Sequence, residues 1–221
     1  MPATAEKLVF SLMEITGHSE ISEGAFVISF KRDFEFNPGQ CVALKLHSGE
    51  DYRIYSIASG AHDATVNILY TVNPSGSLTP RLSQLKPGDK ILVSNPFGNF
   101  FTPAGETWWI AAGTGIAPFM SMASSGLAEN KTLLQGAPVI DRFYFSNQLG
   151  TKLNTYIRCC SRENHVGYYP GRVTTWLTEQ TELPAGIGYM ICGSAEFVID
   201  VRDILIEKGV RYDKIIAEIY F

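Results

Sequence analysis

Apolar and polar positions alternate over short stretches through the first hundred residues, at 7–15, 24–31, 40–46, 52–57, 65–71 and 90–94. Period-two alternation predicts half-buried strands. Turn sequences divide them: Asn37-Pro38-Gly39, His47-Ser48-Gly49, Asn73-Pro74-Ser75-Gly76 and Lys86-Pro87-Gly88-Asp89. Short strands with regular turns predict an antiparallel barrel or sandwich. One segment departs from the pattern: 77–85, after Gly76, reads as a short helix.

The pattern changes after Phe101-Thr102-Pro103-Ala104-Gly105. A short apolar run at 108–112 reads as a strand, followed by a Gly-rich turn and a helical stretch at 118–127. Runs at 142–146 and 155–159 read as strands, 171–179 as a helix, 188–192 as a strand, 195–208 as a helix and 214–220 as a last strand. Strands alternating with helices predict a parallel sheet. The expected fold class is thus β followed by α/β. Residues 1–101 form an antiparallel barrel and 102–221 a parallel-sheet α/β domain.

Composition narrows the function classes. The 221 residues are 45% hydrophobic and 18% charged, a globular balance. Up to residue 100 there are 8 basic and 10 acidic side chains, and after it 10 and 12. Neither half has the cationic footprint of a nucleic-acid binder. The four cysteines, Cys41, Cys159, Cys160 and Cys192, form no C-x-x-C pair, which removes common zinc and iron–sulfur ligand sets. The start, MPATAEKLVF, lacks the apolar core of a signal peptide. No apolar run of about 18 residues is present to span a membrane. The expectation is a reduced, cytoplasmic monomer with no metal site and no nucleic-acid or membrane partner.

Five motifs carry candidate chemistry. Arg53-Ile54-Tyr55-Ser56 lies on an expected strand. A guanidinium grips phosphate bidentately, a Tyr ring offers a flat apolar face, and a hydroxyl can bond a heterocyclic nitrogen. A solvated Arg beside a core Tyr accounts for the same residues. Gly76-Ser77-Leu78-Thr79 opens the helix of the first half, where backbone N–H groups meet anions; an ordinary N-cap uses the same residue types. Gly113-Thr114-Gly115-Ile116-Ala117-Pro118 lies between a strand and a helix. It is a Gly-rich phosphate turn, with Pro118 where a dinucleotide fingerprint wants Gly. Cys192-Gly193 ends the next-to-last strand, where α/β sheets bind ligands, although a buried structural Cys fits as well. Glu218-Ile219-Tyr220-Phe221 ends the chain with two aromatics that either plug the core or cover a flat ligand.

Taken together and in order, these motifs resemble the ferredoxin–NADP reductase family of flavoproteins. Its R-x-Y-S pattern appears as Arg53, Tyr55 and Ser56, and its G-x-x-S/T pattern as Gly76 and Thr79. Its G-T-G-x-x-P pattern appears as Gly113-Thr114-Gly115 and Pro118, and its C-G dipeptide as Cys192-Gly193. Its acidic–aromatic ending appears as Glu218 and Tyr220. The match spans essentially the whole chain.

The resemblance implies an FAD-binding barrel and an NADP-binding α/β domain. Arg53 would contact the FAD pyrophosphate, Tyr55 would stack on one flavin face and Ser56 would bond near flavin N5. Gly76, Ser77, Leu78 and Thr79 would hold the pyrophosphate, Ile54 and Tyr70 join the FAD contacts, and Tyr220 would cover the other flavin face. Phe221, one residue beyond the family's terminal Tyr in its plastid members, would reach toward the adenine. Gly113, Thr114, Gly115 and Gly193 would line the NADP site. Ser56, Cys192, Glu218 and Tyr220 form the implied catalytic set. Ser161-Arg162 and Arg172 resemble the 2′-phosphate-binding positions of bacterial-type members, and the expected strand 142–146 ends in Ser146-Asn147 without the acid that NAD sites often use. Two charge-assisted bonds of about 1.5–3 kcal/mol each favour NADPH by roughly two to four powers of ten.

The chain has no C-x4-C-x2-C segment, so the implied one-electron partner is a separate ferredoxin or flavodoxin. Lys31, Arg32, Lys45, Arg81, Lys86 and Lys90 are candidates for a local docking patch. Two other readings fit the same motifs: a reductase component for an oxygenase or other dedicated acceptor, and a non-catalytic flavin-binding electron-transfer subunit.

Overall fold

The computed structural model describes residues 8–220. Two six-stranded sheets follow one another along the chain. The first holds β1 (Phe10–Ser22), β2 (Ala25–Lys31), β3 (Cys41–Lys45), β4 (Arg53–Ser56), β5 (Thr65–Thr71) and β6 (Lys90–Ser94), ordered β4-β3-β6-β1-β2-β5 and antiparallel throughout. An Ile57–Ile68 bridge and the Ala58 amide on the Asn67 carbonyl draw the two edges together into a barrel. Its interior is filled by Ile15, Ile28, Phe30, Leu44, Ile68, Leu82 and Ile91.

β1 is much longer than the alternation predicts. Register shifts at Ile15/Gly17 and Glu20/Ser22 bend it, so that its first part pairs with β6 and its second with β2. The expected helix at 77–85 is cut to one turn, α1 (Thr79–Leu82). Pro87 follows soon after, and the residue before a proline is biased away from helix. Leu78 and Leu82 of this turn are buried in the barrel.

The second sheet is wholly parallel, ordered β10-β9-β8-β7-β11-β12. Its strands are β7 (Thr107–Ala112), β8 (Lys131–Ala137), β9 (Thr155–Cys160), β10 (Tyr169–Pro170), β11 (Gly188–Ser194) and β12 (Ile215–Tyr220). Helices α2 (Ala117–Ser124) and α3 (Ser146–Lys152) cover one face, and α4 (Val173–Glu179) and α5 (Ala195–Glu207) the other.

The expected strand at 142–146 is incorrect. The strand is β8, eleven residues earlier at its start, where buried Lys131 and Gln135 obscure the apolar run. Lys131 Nζ donates to the carbonyls of Pro103 and Gly105, which pins the connection between the two sheets. Residues 140–142 form a 3-10 turn, and Phe145 has a φ of 60°, which no strand accommodates. Phe143 and Tyr144 are buried because they pack on the sheet from outside it.

The two sheets share one core cluster. Ala25, Ala58 and Leu69 of the first half pack with Trp109, Phe119, Met122 and Tyr144 of the second. This apolar contact fixes how the two halves face each other.

Candidate functional site

A cavity of about 680 Å³ lies between the barrel and β12. All four residues of β4, Arg53-Ile54-Tyr55-Ser56, line it, with Tyr70 and Thr71 at the end of β5. Gly76, Ser77, Leu78 and Thr79 close one side, and Glu218, Ile219 and Tyr220 the other. Three motifs are thus brought together, with Ser56 and Tyr220 in hydrogen-bond contact across 164 residues of chain.

Arg53 is exposed and donates only to the carbonyl of Tyr52. Among the described residues it has no ion-pair partner, so its charge is available to an anion. The amides of Ser77, Leu78 and Thr79 find no acceptor among the described residues, while the Gly76 amide is closed onto the Asn73 carbonyl at 2.9 Å. The Thr79 hydroxyl accepts from the Asn73 amide at 2.9 Å. It staples the turn rather than facing the cavity alone. A Cβ at Gly76 would lie 3.2 Å from the Asn73 carbonyl oxygen, so the cradle is tight.

Tyr55 meets Tyr70 edge to face, with ring centres 6.3 Å apart. Tyr70 is stacked on Phe26, and its hydroxyl lies 2.7 Å from His18 Nε2. His18 Nδ1 lies 2.7 Å from the Leu85 carbonyl, which can only accept, so Nδ1 is a donor there. Burial pushes the Tyr55 phenol up to about 12 and raises that of Tyr70 as well.

At the opposite wall the Tyr220 phenol donates to Ser56 Oγ at 2.5 Å, and Ser56 Oγ donates to Glu218 Oε1 at 2.9 Å. Cys192 Sγ lies 4.0 Å from the same carboxylate oxygen. Burial raises the pKa of Glu218, against the opposing hydrogen bond from Ser56. Burial also raises that of Cys192, which keeps the thiol protonated. Cys192 is fully buried and lines neither cavity; it touches the site only through Glu218 and Tyr220.

A second cavity, of about 360 Å³, opens at the carboxyl ends of β7, β8 and β11, where the strand order reverses. Gly113, Thr114, Gly193 and Ser194 line it, together with Thr71 and Tyr220. Thr71, Thr114 and Tyr220 line both cavities, so the two spaces adjoin. Gly115 lines neither. A Cβ there would stand 2.3 Å from the Cys192 carbonyl oxygen, so its glycine lets the turn pack on β11.

Ser161, Arg162 and Arg172 lie outside both cavities and are exposed. They are neighbours nonetheless: β10 pairs with the end of β9, and the Gly171 amide bonds the Cys160 carbonyl at 2.9 Å. Neither arginine forms an ion pair among the described residues. Phe221 and its expected adenine contact lie outside the described residues. Of the expected docking cations, Arg32 is tied to Glu35 at 2.7 Å and Arg81 to Glu50 at 2.8 Å.

The motif reading missed Cys41, Asn73 and Phe97 in the first cavity and Arg142 and Tyr144 in the second. The correct position of β8 was the missing signal for the last two, since they follow its end. The premise that strand 142–146 ends without an acid also falls. β8 ends at Ala137 and is followed by Pro138, with Asp141 exposed on the next turn.

A barrel with a cavity beside its edge strand, joined to a parallel sheet with a second cavity at its switch point, is an arrangement suited to a flavin-dependent pyridine-nucleotide oxidoreductase. Residues 13–101 match the oxidoreductase FAD-binding domain. Ferredoxin–NADP reductase A of Sorangium cellulosum is 35% identical over 212 residues, covering 80% of this chain and 74% of that protein. The flavodoxin/ferredoxin–NADP reductase of Shigella flexneri is 29% identical over 196 residues, covering 76% and 77%. A ferredoxin NADP+ reductase from Neisseria gonorrhoeae, solved with FAD and NADP bound, superposes with a TM-score of 0.87 at 20% identity, over 96% of this chain and 99% of that one. The chain belongs to the ferredoxin–NADP reductase family.

Proposed function

We propose that the chain is an FAD-containing NADPH oxidoreductase, exchanging hydride with NADP(H) and single electrons with a ferredoxin or flavodoxin. The observation that carries this reading is Tyr220, whose ring borders both cavities while its hydroxyl bonds Ser56. A group at that junction controls whether two flat rings can meet. Bound FAD supplies the chemistry of accepting a hydride and releasing electrons singly.

The chain's own residues bind and orient. Residues 1–101 hold FAD and 102–221 hold NADP(H). Arg53 and the free amides of Ser77, Leu78 and Thr79 neutralise the FAD pyrophosphate. Ile54 and Tyr70 add cavity wall, and Tyr55 offers one stacking face. Tyr220 covers the opposite face and withdraws when the nicotinamide enters. Ser56, Glu218 and Cys192 keep a buried hydrogen-bonded group beside the reacting ring edge, with protons held on Ser56 Oγ and Cys192 Sγ. Gly113, Thr114 and Gly193 border the nucleotide, Gly115 allows their turn to pack, and Ser161, Arg162 and Arg172 select the 2′-phosphate. Positioning of this kind supplies much of the rate in hydride transfer. The proposed setting is a soluble bacterial cytoplasm, with the chain a monomer and the carrier a separate protein.

Purified protein should carry a yellow chromophore that NADPH bleaches anaerobically, and should then reduce ferricyanide and a ferredoxin or flavodoxin catalytically. Protein that binds no FAD, or whose flavin NADPH leaves oxidised, overturns the reading.

A further inference from the structure

The second cavity contains a charge that the motif pattern does not account for. Of its lining residues, Thr71, Ala112, Gly113, Thr114, Ala137, Pro138, Tyr144, Gly193, Ser194 and Tyr220 are neutral, and Arg142 alone is ionic. We propose that Arg142 is the cationic anchor of this cavity and binds the pyrophosphate of the pyridine nucleotide. The proposal rests on the NADP(H) reading given above.

Several observations converge on it. Arg142 ends the 3-10 turn that follows β8, beside the carboxyl edge of the sheet, across from the Gly113-Thr114 and Gly193-Ser194 turns. One guanidinium nitrogen, Nη2, donates to the Glu23 carbonyl of the β1–β2 turn at 3.1 Å. That bond, together with a side-chain hydrogen bond to Tyr144, holds the side chain across the junction of the two halves. Among the described residues Arg142 forms no ion pair, so its charge is not spent on a carboxylate. Asp141, its neighbour in sequence, acts on the Tyr144 phenol in the opposite sense to Arg142. Asp141 is exposed and does not line the cavity, and the Glu163 carboxylate accepts from the Ile140 amide at 2.7 Å. The positive charge also faces the Tyr144 phenol in the cavity wall. A half-buried, fixed and unpaired guanidinium in an otherwise neutral cavity matches a bidentate phosphate ligand.

The position divides two kinds of recognition. Arg162 and Arg172 stand outside the cavity at the β9–β10 edge, where they meet what NADP has and NAD lacks. Arg142 stands inside, where both coenzymes present the same pyrophosphate. Its effect is therefore common to both.

The test is equilibrium binding of NADP+ and of NAD+ to the FAD-loaded protein, by calorimetry at two ionic strengths. Arg142→Gln retains a donor for Glu23 and removes the charge, and Arg142→Ala removes both. Both variants should weaken NADP+ and NAD+ alike, by about 10- to 150-fold, and flatten the salt dependence. Arg142→Lys should recover part of the loss. Unchanged binding in folded Arg142→Gln protein overturns the proposal. So does a loss confined to NADP+, which would move Arg142 to the 2′-phosphate. A loss shared by both coenzymes with an unaltered salt dependence overturns it too, in favour of a purely structural role. Failure of the unsubstituted protein to bind either coenzyme overturns the NADP(H) reading itself, and the proposal with it.

Discussion

The Tyr220 hydroxyl and Ser56 Oγ, 164 residues apart in sequence, are 2.5 Å apart in space. This contact joins the last strand of the parallel sheet to the edge strand of the barrel. It also holds the Tyr220 ring at the boundary of the two cavities. Under the proposed function the ring would compete with a nicotinamide that approaches the flavin on that face.

Tyr220→Ser should tighten NADP+ binding by roughly tenfold or more, because the ring no longer has to be displaced. Turnover should slow, since a coenzyme bound too well in its ground state gains no rate. Titration of the variant with NADP+, alongside steady-state kinetics, checks both. An unchanged dissociation constant would remove the gating role.

Glu218 makes a prediction about pH. Its carboxyl is raised above the ordinary value chiefly by burial, with the Ser56 hydrogen bond pulling the other way. A carboxyl whose pKa is higher folded than unfolded supports the fold when protonated. That support is complete below the unfolded value and is lost as pH rises through the folded one. Glu218→Gln should thus have its largest stabilising effect relative to the parent at neutral and higher pH, and little effect near pH 4. Melting temperatures of both proteins across that range provide the comparison.

Arg162→Ala should raise the KM for NADPH by about tenfold or more, from the loss of one charge-assisted bond of roughly 1.5–3 kcal/mol. NADH kinetics should hardly change. Equal effects on the two coenzymes would place Arg162 away from the 2′-phosphate. Paired with the Arg142 variants, this substitution separates the shared part of the coenzyme from the distinguishing part.

Gly115→Ala tests the close approach of the turn to β11. The added Cβ would stand 2.3 Å from the Cys192 carbonyl oxygen and 2.8 Å from the Gly193 amide nitrogen. Both are backbone atoms and cannot rotate away. The cost should be at least the 1–3 kcal/mol typical of overpacking, visible in denaturant unfolding. The shift of β11 should also weaken coenzyme binding.

The local signals for the site and its tertiary neighbours were of different kinds. Arg53-Ile54-Tyr55-Ser56 and Gly76-Ser77-Leu78-Thr79 were legible because their order and spacing are local. The parallel sheet was legible from strand and helix alternation, but β8 was not. Its buried Lys131 and Gln135 are satisfied by partners distant in sequence, the connection at 103–107 and Tyr144. Periodicity has no access to such partners, so the more apolar 142–146 took the strand's place. Arg142 and Tyr144 were then lost from the site with it.

The sequence by itself determined the two-part order and the antiparallel and parallel halves. These follow from side-chain periodicity and turn chemistry within a few residues. Only the tertiary structure decided that Tyr220 borders two cavities, that Cys192 is buried beneath Glu218, and that Gly115 packs while Gly113 and Thr114 line. It also decided that one unpaired arginine stands in the second cavity. Each depends on which groups are desolvated and paired when distant segments meet, and that is fixed by the packing of one half on the other.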